Sequence, residues 1–491
     1  MNRSRLPRFT TAVATAFIAA YFLSFTTGSL RAEFTYDDLM NCYRGWFRPL
    51  PELLADNLFF FRYSPTFRPF GALVYKVFFG PYGFDLYPLR VLLLIVLASN
   101  VWLTCRLCRA LTQSTELGLF AALVFCYHMK FWPLYYTTGT LYDIFCFTFY
   151  VSALLVYIEI RRHGKRLTRL NLLTLCALYI LALDSKEAAV TLPAILALYE
   201  ILWHPPAPAR SELVDWFTQR MAPVWLIAAI TIAYLGGRIF SPELGISSTG
   251  GYRITLSVGE YLTKAAFYLG ELFYAPDWFD ASKAAMTVLL LLLIAAISRS
   301  RSFLFGGLLF LLGILPLAFI PVRVLSAVYL PLAGLSICAA VLLGFVCSAL
   351  RRLSSRELWQ SSAFVLVFLA AALSLIRVHP GTEHIYAALG AEYTRIRETR
   401  ERLIQLHPTM PEHSRILILN TPFPQYSPGY HTLFLIRLLY RDESLVVDEL
   451  ARLKENRQTP ALTEYDVIVS YEQGQLVDVD PHTLQFQPTE P

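Results

Sequence analysis

Long apolar runs recur along the whole chain, and they constrain its fold more than any other feature. Each run holds roughly 17 to 25 residues and, as a helix, is long enough to cross a hydrocarbon core about 30 Å thick. Only 16% of the 491 residues are charged, whereas charged residues make up about a quarter of a soluble domain. Eleven runs lie near residues 9–29, 87–105, 116–133, 139–160, 170–184, 188–203, 221–239, 284–298, 303–320, 326–348 and 360–377. The sequence therefore predicts an α-helical polytopic membrane protein with about 11 transmembrane helices.

The positive charges predict the orientation of these helices. With the N-terminus in the cytoplasm, the basic segment "RRHGKRLTR" at 161–169 and most other loop arginines face inward, while the short outer connections hold little more than Lys130, Lys186 and Arg323. This distribution satisfies the positive-inside rule. It also explains the pI of 8.8, so nucleic-acid binding is not expected. Run 9–29 is long for a signal peptide and is predicted to be retained, although either interpretation places the following residues outside.

Two of the outer loops are too long to be simple connections. Residues 30–86 contain aromatic and arginine side chains that suit short helices in the headgroup layer. Residues 240–283 contain an amphipathic stretch followed by an aromatic cluster. Loops of this length are usually functional. For the second loop, an interfacial anchor without chemistry remains an alternative.

The last part of the chain has the composition of a soluble domain. We expect helices near 383–406 and 429–456, a strand at "RILILN" (415–420), and a hairpin in "YDVIVSYEQGQLVDV" that turns at Gly474. The predicted organisation is a transmembrane domain over 1–378, which includes the two outer loops, followed by a small extracytoplasmic α/β domain over 379–491.

Ionisable residues near membrane depth are costly, so each is a functional candidate until a structural partner is found. Glu159 and Glu200 lie at inner helix ends beside basic loops, where we expect surface ion pairs. Most of the others gather on the predicted outer side: Asp37, Asp38, Arg48, Arg68, Lys130, Asp143, Asp184, Lys186, Glu187, Arg238 and Arg323. Cations and carboxylates at one membrane face suit a reaction on a phosphate-bearing lipid, in which the cations hold the phosphate and a carboxylate takes a proton from an acceptor hydroxyl.

The adjacent acids Asp37 and Asp38 directly follow the first apolar run. Two such acids fit a divalent cation, Mg²⁺ or Mn²⁺, shared with a diphosphate. They equally fit the start of a helix, where acidic side chains favour the N-terminal dipole. The residues alone do not separate these interpretations.

Several segments in a fixed order resemble one enzyme family. They are "FTYDD" after the first run, "FRPFGALVYKVFFGPYGFDLYPLR" entering the second, "LFAALVFCYHMKFWPLYYTTGTLYDIF", and "LALDSKEAAVTLPAILALYE", with a fainter echo in "LPLAFIPVRVLSAVYLPLAGL". The chain resembles the GT-C glycosyltransferases over about 9–205. The similarity is greatest to the branch with the transmembrane and tetratricopeptide-repeat O-mannosyltransferases and their bacterial relatives. "YHMKFWP" stands where this branch commonly has His-Pro, and no tetratricopeptide repeat follows, so a protein acceptor of the animal type is not expected.

The resemblance implies a multi-pass protein of the cell or inner membrane that uses a polyprenyl-phosphate or -diphosphate sugar as donor, at the non-cytoplasmic face. The acceptor, a glycan, lipid or protein, stays open. By position it implies that Asp37 is the acid that acts as base or orients the acceptor, with Asp38 beside it as support. It also implies Arg68, Lys186 and Arg323 at the donor phosphate. Arg238 joins them through its outer position, and Asp143 and Glu187 are further candidates.

Several candidates also have a purely structural interpretation. In that interpretation Lys186 and Glu187 pair only with each other or with Asp184, Arg68 and Pro69 only start an interfacial helix, and Asp143 only caps its helix. His128 is expected to be a bonded helix-end histidine rather than a ligand. At the level of the whole protein, the alternatives are a non-catalytic scaffold for envelope glycan assembly and a lipid-linked glycan transporter or flippase. A transporter would place ionisable residues near the midplane, whereas here they collect at one face.

Overall fold

The structure is a computed structural model, which describes residues 6–61, 68–163, 167–207, 210–239, 255–353, 357–378, 382–424, 430–458 and 460–480. A helix lies at each of the eleven predicted runs. These helices are α1 (Leu6–Thr26), α5 (Tyr87–Thr112), α6 (Thr115–Cys126), α8 (Leu141–Arg162), α9 (Arg169–Ser185), α10 (Leu192–Trp203), α12 (Ala222–Ile239), α14 (Ala281–Ser298), α15 (Arg301–Ala318), α16 (Tyr329–Arg352) and α17 (Glu357–Arg377). The remaining helices are α2 (Tyr36–Trp46), α3 (Leu50–Leu58), α4 (Pro69–Tyr82), α7 (Pro133–Tyr136), α11 (Arg210–Asp215), α13 (Val258–Leu272), α18 (Thr382–Leu406), α19 (His431–Tyr440) and α20 (Leu450–Glu455).

The described helices confirm a multi-pass membrane protein. Six are long and apolar enough to cross a membrane, and eight spans result if each of two bent helix pairs counts as one. In one of these pairs α6 continues into 129–136 after a bend of 57°. The α9 and α10 helices are shorter, with 17 and 12 residues. The predicted count of eleven spans therefore stays a prediction.

Ion pairs join helix ends at the predicted inner face. Arg106 pairs with Glu159, and both side chains are partly exposed, so the surface pair predicted for Glu159 is confirmed. Glu200 is fully buried. Its carboxylate oxygens pair with the Nε atoms of Arg161 at 3.1 Å and of Arg220 at 2.6 Å. The prediction of a surface pair was therefore wrong for Glu200, because α10 packs that carboxylate between two arginines brought from other helices.

The first outer loop folds into the three helices α2, α3 and α4. A Cβ added at Gly45 of α2 would lie 2.7 Å from the carbonyl oxygen of Ala72 in α4, so the two helices approach closely. The Lys76 ammonium donates to the carbonyl oxygens of Trp46 at 2.6 Å and Arg48 at 2.7 Å. A cation at the C-terminal carbonyls of α2 complements the negative end of the helix dipole.

The C-terminal part holds a four-stranded sheet with strand order β2-β1-β3-β4. Its strands are β1 (Arg415–Ile418), β2 (Val446–Glu449), β3 (Val467–Glu472) and β4 (Gln475–Asp478). The β1 strand is parallel to β2 and β3, and β3 and β4 form the predicted hairpin, with Gly474 at φ 87° in its turn. Because a positive φ costs glycine little, Gly474 suits this turn.

One prediction for this part was wrong. In place of the single helix expected over 429–456, the structure has the helix α19, then the strand β2, then the helix α20. The α19 helix ends where Arg441 takes a left-handed conformation with φ 55°. The following pair Val446–Val447 is β-branched and enters the sheet, which such residues favour.

The C-terminal part packs directly on the membrane domain. Phe423, Leu435 and Leu438 belong to the same buried apolar cluster as the membrane helices. The Tyr43 ring of α2 lies 4.8 Å from the ring of Phe434, and the Tyr43 hydroxyl accepts a 2.6 Å hydrogen bond from Arg437. The α19 helix therefore packs directly against α2.

Candidate active site

The start of α2 is fixed by a capping box. The Thr35 hydroxyl accepts from the amide of Asp38 at 3.3 Å, while the Asp38 carboxylate accepts from the amide of Thr35 at 2.9 Å. The other Asp38 oxygen accepts from the amide of Gly139. Asp38 is completely buried, and these reciprocal bonds satisfy amides that the helix itself leaves unpaired.

The charge of Asp38 is balanced by Arg90, which is 1% exposed. The Arg90 guanidinium donates to the carbonyl oxygens of Glu33 at 3.2 Å and Tyr135 at 3.3 Å. Burial raises the pKa of Asp38, whereas Arg90 and the hydrogen bonds from Thr35 oppose that rise. Arg90 stands in the quoted segment "YPLR", but the sequence analysis did not single it out.

Asp37 is in a different environment although it is the next residue. It is exposed, and none of the described residues donates a hydrogen bond to its carboxylate. Desolvation and the neighbouring Asp38 raise its pKa, while Arg68, Arg44 and Lys186 lower it. The structure therefore brings the accessible acid into the field of three cations, and two of these cations are predicted site residues.

Two ion pairs stand beside these acids. Arg68 makes a bidentate contact with Glu187, with nitrogen–oxygen distances of 2.7 and 3.1 Å, and Lys186 pairs with Asp143. The guanidinium of Arg68 also lies 5.2 Å from the ring centre of Tyr142, whose hydroxyl bonds to Asn41 of α2 at 3.1 Å. The turn between α9 and α10 and the starts of α4 and α8 are thereby joined to α2.

The ion pairs of this turn reach other helices. Lys186 pairs with Asp143 of α8, and Glu187 pairs with Arg68 in the segment before α4. Asp143 does not cap α8, where Thr140 holds the N-cap position. His128 is confirmed as a bonded histidine, since its Nε2 lies 2.9 Å from the carbonyl oxygen of Leu272.

The other two predicted phosphate-binding residues lie on other segments of the chain. The backbone amide of Arg323 donates to the hydroxyl of Tyr268 in α13 at 3.2 Å. Arg238 lies near the end of α12, but its side chain falls outside the described residues.

Sequence reasoning missed two further charged residues near Asp37. Arg44 lies two turns after Asp37 on α2; it is exposed, and no ion pair involves it among the described residues. The spacing of seven residues places both on one helix face and provided a signal. Glu392 comes from α18, and its carboxylate accepts from the amide of Tyr36. No local pattern could pair residues 356 positions apart.

A divalent cation at Asp37 and Asp38 stays a prediction. The described residues contain no group of three or more His, Cys, Asp and Glu side chains arranged to hold a metal. Both Asp38 oxygens already accept protein hydrogen bonds, so Asp37 is the acid of the pair that retains free oxygens for a cation or a proton. Chemically, the group combines one accessible carboxylate with an exposed arginine and two ion-paired cations.

Comparison with known proteins agrees with this architecture. The crystal structure of ArnT from Cupriavidus metallidurans in the apo state superposes with a TM-score of 0.51 at 13% sequence identity. The alignment covers 93% of this chain and 92% of the ArnT chain. No protein-family model and no curated protein matches the sequence. The chain thus has the overall fold of the ArnT structure.

Proposed function

We propose that this protein is a membrane glycosyltransferase. It transfers a hexosyl or pentosyl group from a polyprenyl-phosphate- or -diphosphate-linked donor to an acceptor hydroxyl at the non-cytoplasmic face. The observation that carries the proposal is the exposed Asp37 carboxylate, which no described side chain engages, beside the cations Arg44, Arg68 and Lys186. The GT-C-type fold supports the same chemistry.

In this proposal Asp37 is the general base. It accepts the proton of the acceptor hydroxyl as that oxygen attacks the anomeric carbon, and the bond from this carbon to the donor phosphate oxygen breaks. One displacement of this kind inverts the anomeric configuration. A pKa held above the usual aspartate value by desolvation and Asp38 improves Asp37 as a proton acceptor.

The cations stabilise the negative charge on the departing phosphate. Arg44 is the most available of them because it is exposed and lacks an ion-pair partner among the described residues. Arg68 is already paired with Glu187. Glu187 holds the orientation of this guanidinium, whose positive charge faces the donor phosphate in the proposal. Lys186 is buried and paired with Asp143, so its positive charge stabilises the phosphate from a distance, without a direct contact.

The test is transfer of a radiolabelled sugar from a polyprenyl-phosphate donor by the purified protein in lipid vesicles. Asp37→Asn keeps the shape of the side chain but removes the base, so we expect transfer to fall about 10²- to 10⁴-fold. Asp85→Asn is the matched control. Among the described residues the Asp85 side chain accepts one hydrogen bond, from the Tyr87 amide in the same outer loop, and an asparagine oxygen can do the same.

Wild-type rates in Asp37→Asn, at normal expression, would refute the base assignment. Failure of the wild-type protein to transfer sugar from donors of several sugar classes would favour the non-catalytic scaffold. Donor that crosses the bilayer without reacting would favour a flippase.

A further inference from the structure

The C-terminal helix α18 reaches the start of α2. The Glu392 carboxylate accepts the backbone amide of Tyr36, which is the first residue of α2. Amides in the first turn of a helix lack partners within the helix. Thr35 and Asp38 satisfy each other in the capping box, so Glu392 supplies a further cap from a distant part of the chain.

Contacts of the residues that follow Glu392 hold α18 in this place. The Tyr393 hydroxyl donates to the carbonyl oxygen of Tyr136 at 2.6 Å, and Arg397 pairs with Glu33 at 2.6 Å. The Tyr36 ring packs against Phe423, with ring centres 4.9 Å apart. Because these contacts already dock the helix, the capping bond of Glu392 is not required merely to attach α18.

An acid is an unfavourable choice at this position unless its bond to α2 matters. Burial and the nearby charges of Asp38 and Asp37 raise the pKa of Glu392 to about 7, against the effect of the Tyr36 hydrogen bond. Glutamine has the shape of the protonated carboxyl group and keeps its acceptor oxygen.

We propose that Glu392 is a positioning residue of the active site, which the C-terminal part supplies by capping α2 and thereby orienting Asp37. The inference rests on the proposed glycosyltransferase function. Asp37 is the residue after Tyr36, so the direction of its side chain depends on the backbone that Glu392 holds. The reaction centre is then completed by a segment that lies after all the predicted spans.

The experiment compares three variants in the sugar-transfer assay. Glu392→Ala removes the acceptor and should lower kcat about 10- to 100-fold, with a smaller change in KM for the donor, since misplacing a reacting group mainly affects the chemical step. Glu392→Gln keeps the acceptor and should restore most of kcat. Arg397→Gln is the control, because it breaks another α18 contact one turn away without touching α2, and it should stay near wild-type.

Equal losses in Glu392→Ala and Arg397→Gln would show only general docking and overturn the proposal, as would a Glu392→Gln variant as impaired as the alanine variant. Hydrogen–deuterium exchange of the peptide 33–46 provides a readout without activity. Exchange there should be faster in Glu392→Ala than in wild-type and Glu392→Gln. Unchanged exchange overturns the positioning role, whereas an inactive wild-type protein with this exchange pattern overturns the proposed function alone.

Discussion

At the scale of single residues, Asp37 and Asp38 are adjacent and chemically identical but differ in availability. Asp38 is buried in the capping box and bonded to Gly139, while Asp37 is exposed. The sequence indicated that this pair was important and allowed two explanations, helix capping and chemistry. The structure assigns capping to Asp38 and leaves Asp37 accessible. This division depends on an amide about a hundred residues away, so no local pattern could predict it.

Gly139 provides a test of how tightly the two acids are placed. A Cβ at this position would meet an Asp37 carboxylate oxygen and lie 3.4 Å from an oxygen of Asp38. We therefore expect Gly139→Ala to displace Asp37 and lower sugar transfer about 100-fold. The thermal stability should change little, because one methyl group at the rim of the site can be accommodated by moving the exposed acid.

Gly236→Ala is the matched control, since a Cβ at Gly236 of α12 meets no atom within 4 Å. The control should retain wild-type transfer. Full activity of Gly139→Ala would mean that the orientation of Asp37 seen here is not the one used in the reaction.

At the scale of elements, α2 is held at both ends and along one face. Thr35 and Glu392 accept amides of its first turn, Lys76 donates to carbonyls at its C-terminal end, and α4 packs against Gly45. Sequence reasoning predicted short helices in the headgroup layer for this loop. It could not find the packing between them, because that packing depends on a backbone approach rather than on hydrophobic periodicity.

The close approach of α2 and α4 predicts the effect of Gly45→Leu. The new side chain would start 2.7 Å from the carbonyl oxygen of Ala72, so the helices must separate and the Arg68 end of α4 must move away from Asp37. We expect a stability loss of about 1 to 3 kcal/mol from overpacking. Transfer should fall more than this loss of folded protein explains.

Thermal unfolding in detergent and the sugar-transfer assay together check this expectation. Gly80→Ala in α4 is a suitable control, because its Cβ would be 3.5 Å from the Trp46 ring, an ordinary contact distance. If Gly45→Leu unfolds and reacts as the wild-type protein does, then α2 and α4 do not pack as closely as described.

At the scale of the whole molecule, hydropathy predicted where helices form, whereas the pairing of charges required the structure. Each of the eleven apolar runs coincides with a helix, because burial in lipid requires internal backbone hydrogen bonds. Arg68 and Glu187, by contrast, are 119 residues apart and meet only through the packing of α4 against α9. The predicted boundary at 378 between domains did not reveal that α18 and α19 share the core of the membrane part.

This shared core and the predicted orientation can be examined by one cleavage experiment in sealed, right-side-out vesicles. A protease site inserted at 379–381 should be cut from outside, while one inserted at 164–166 should be protected, because the first lies on the predicted outer side and the second in a predicted cytoplasmic loop.

After cleavage the C-terminal fragment should remain bound, since Leu435 and its neighbours are buried against the membrane helices. Leu435→Asp places an unpaired charge in that core and should release the fragment. Cleavage at 164–166 alone would reverse the orientation, and release of the unsubstituted fragment would show that the contacts of α18 and α19 are too weak to complete the active site.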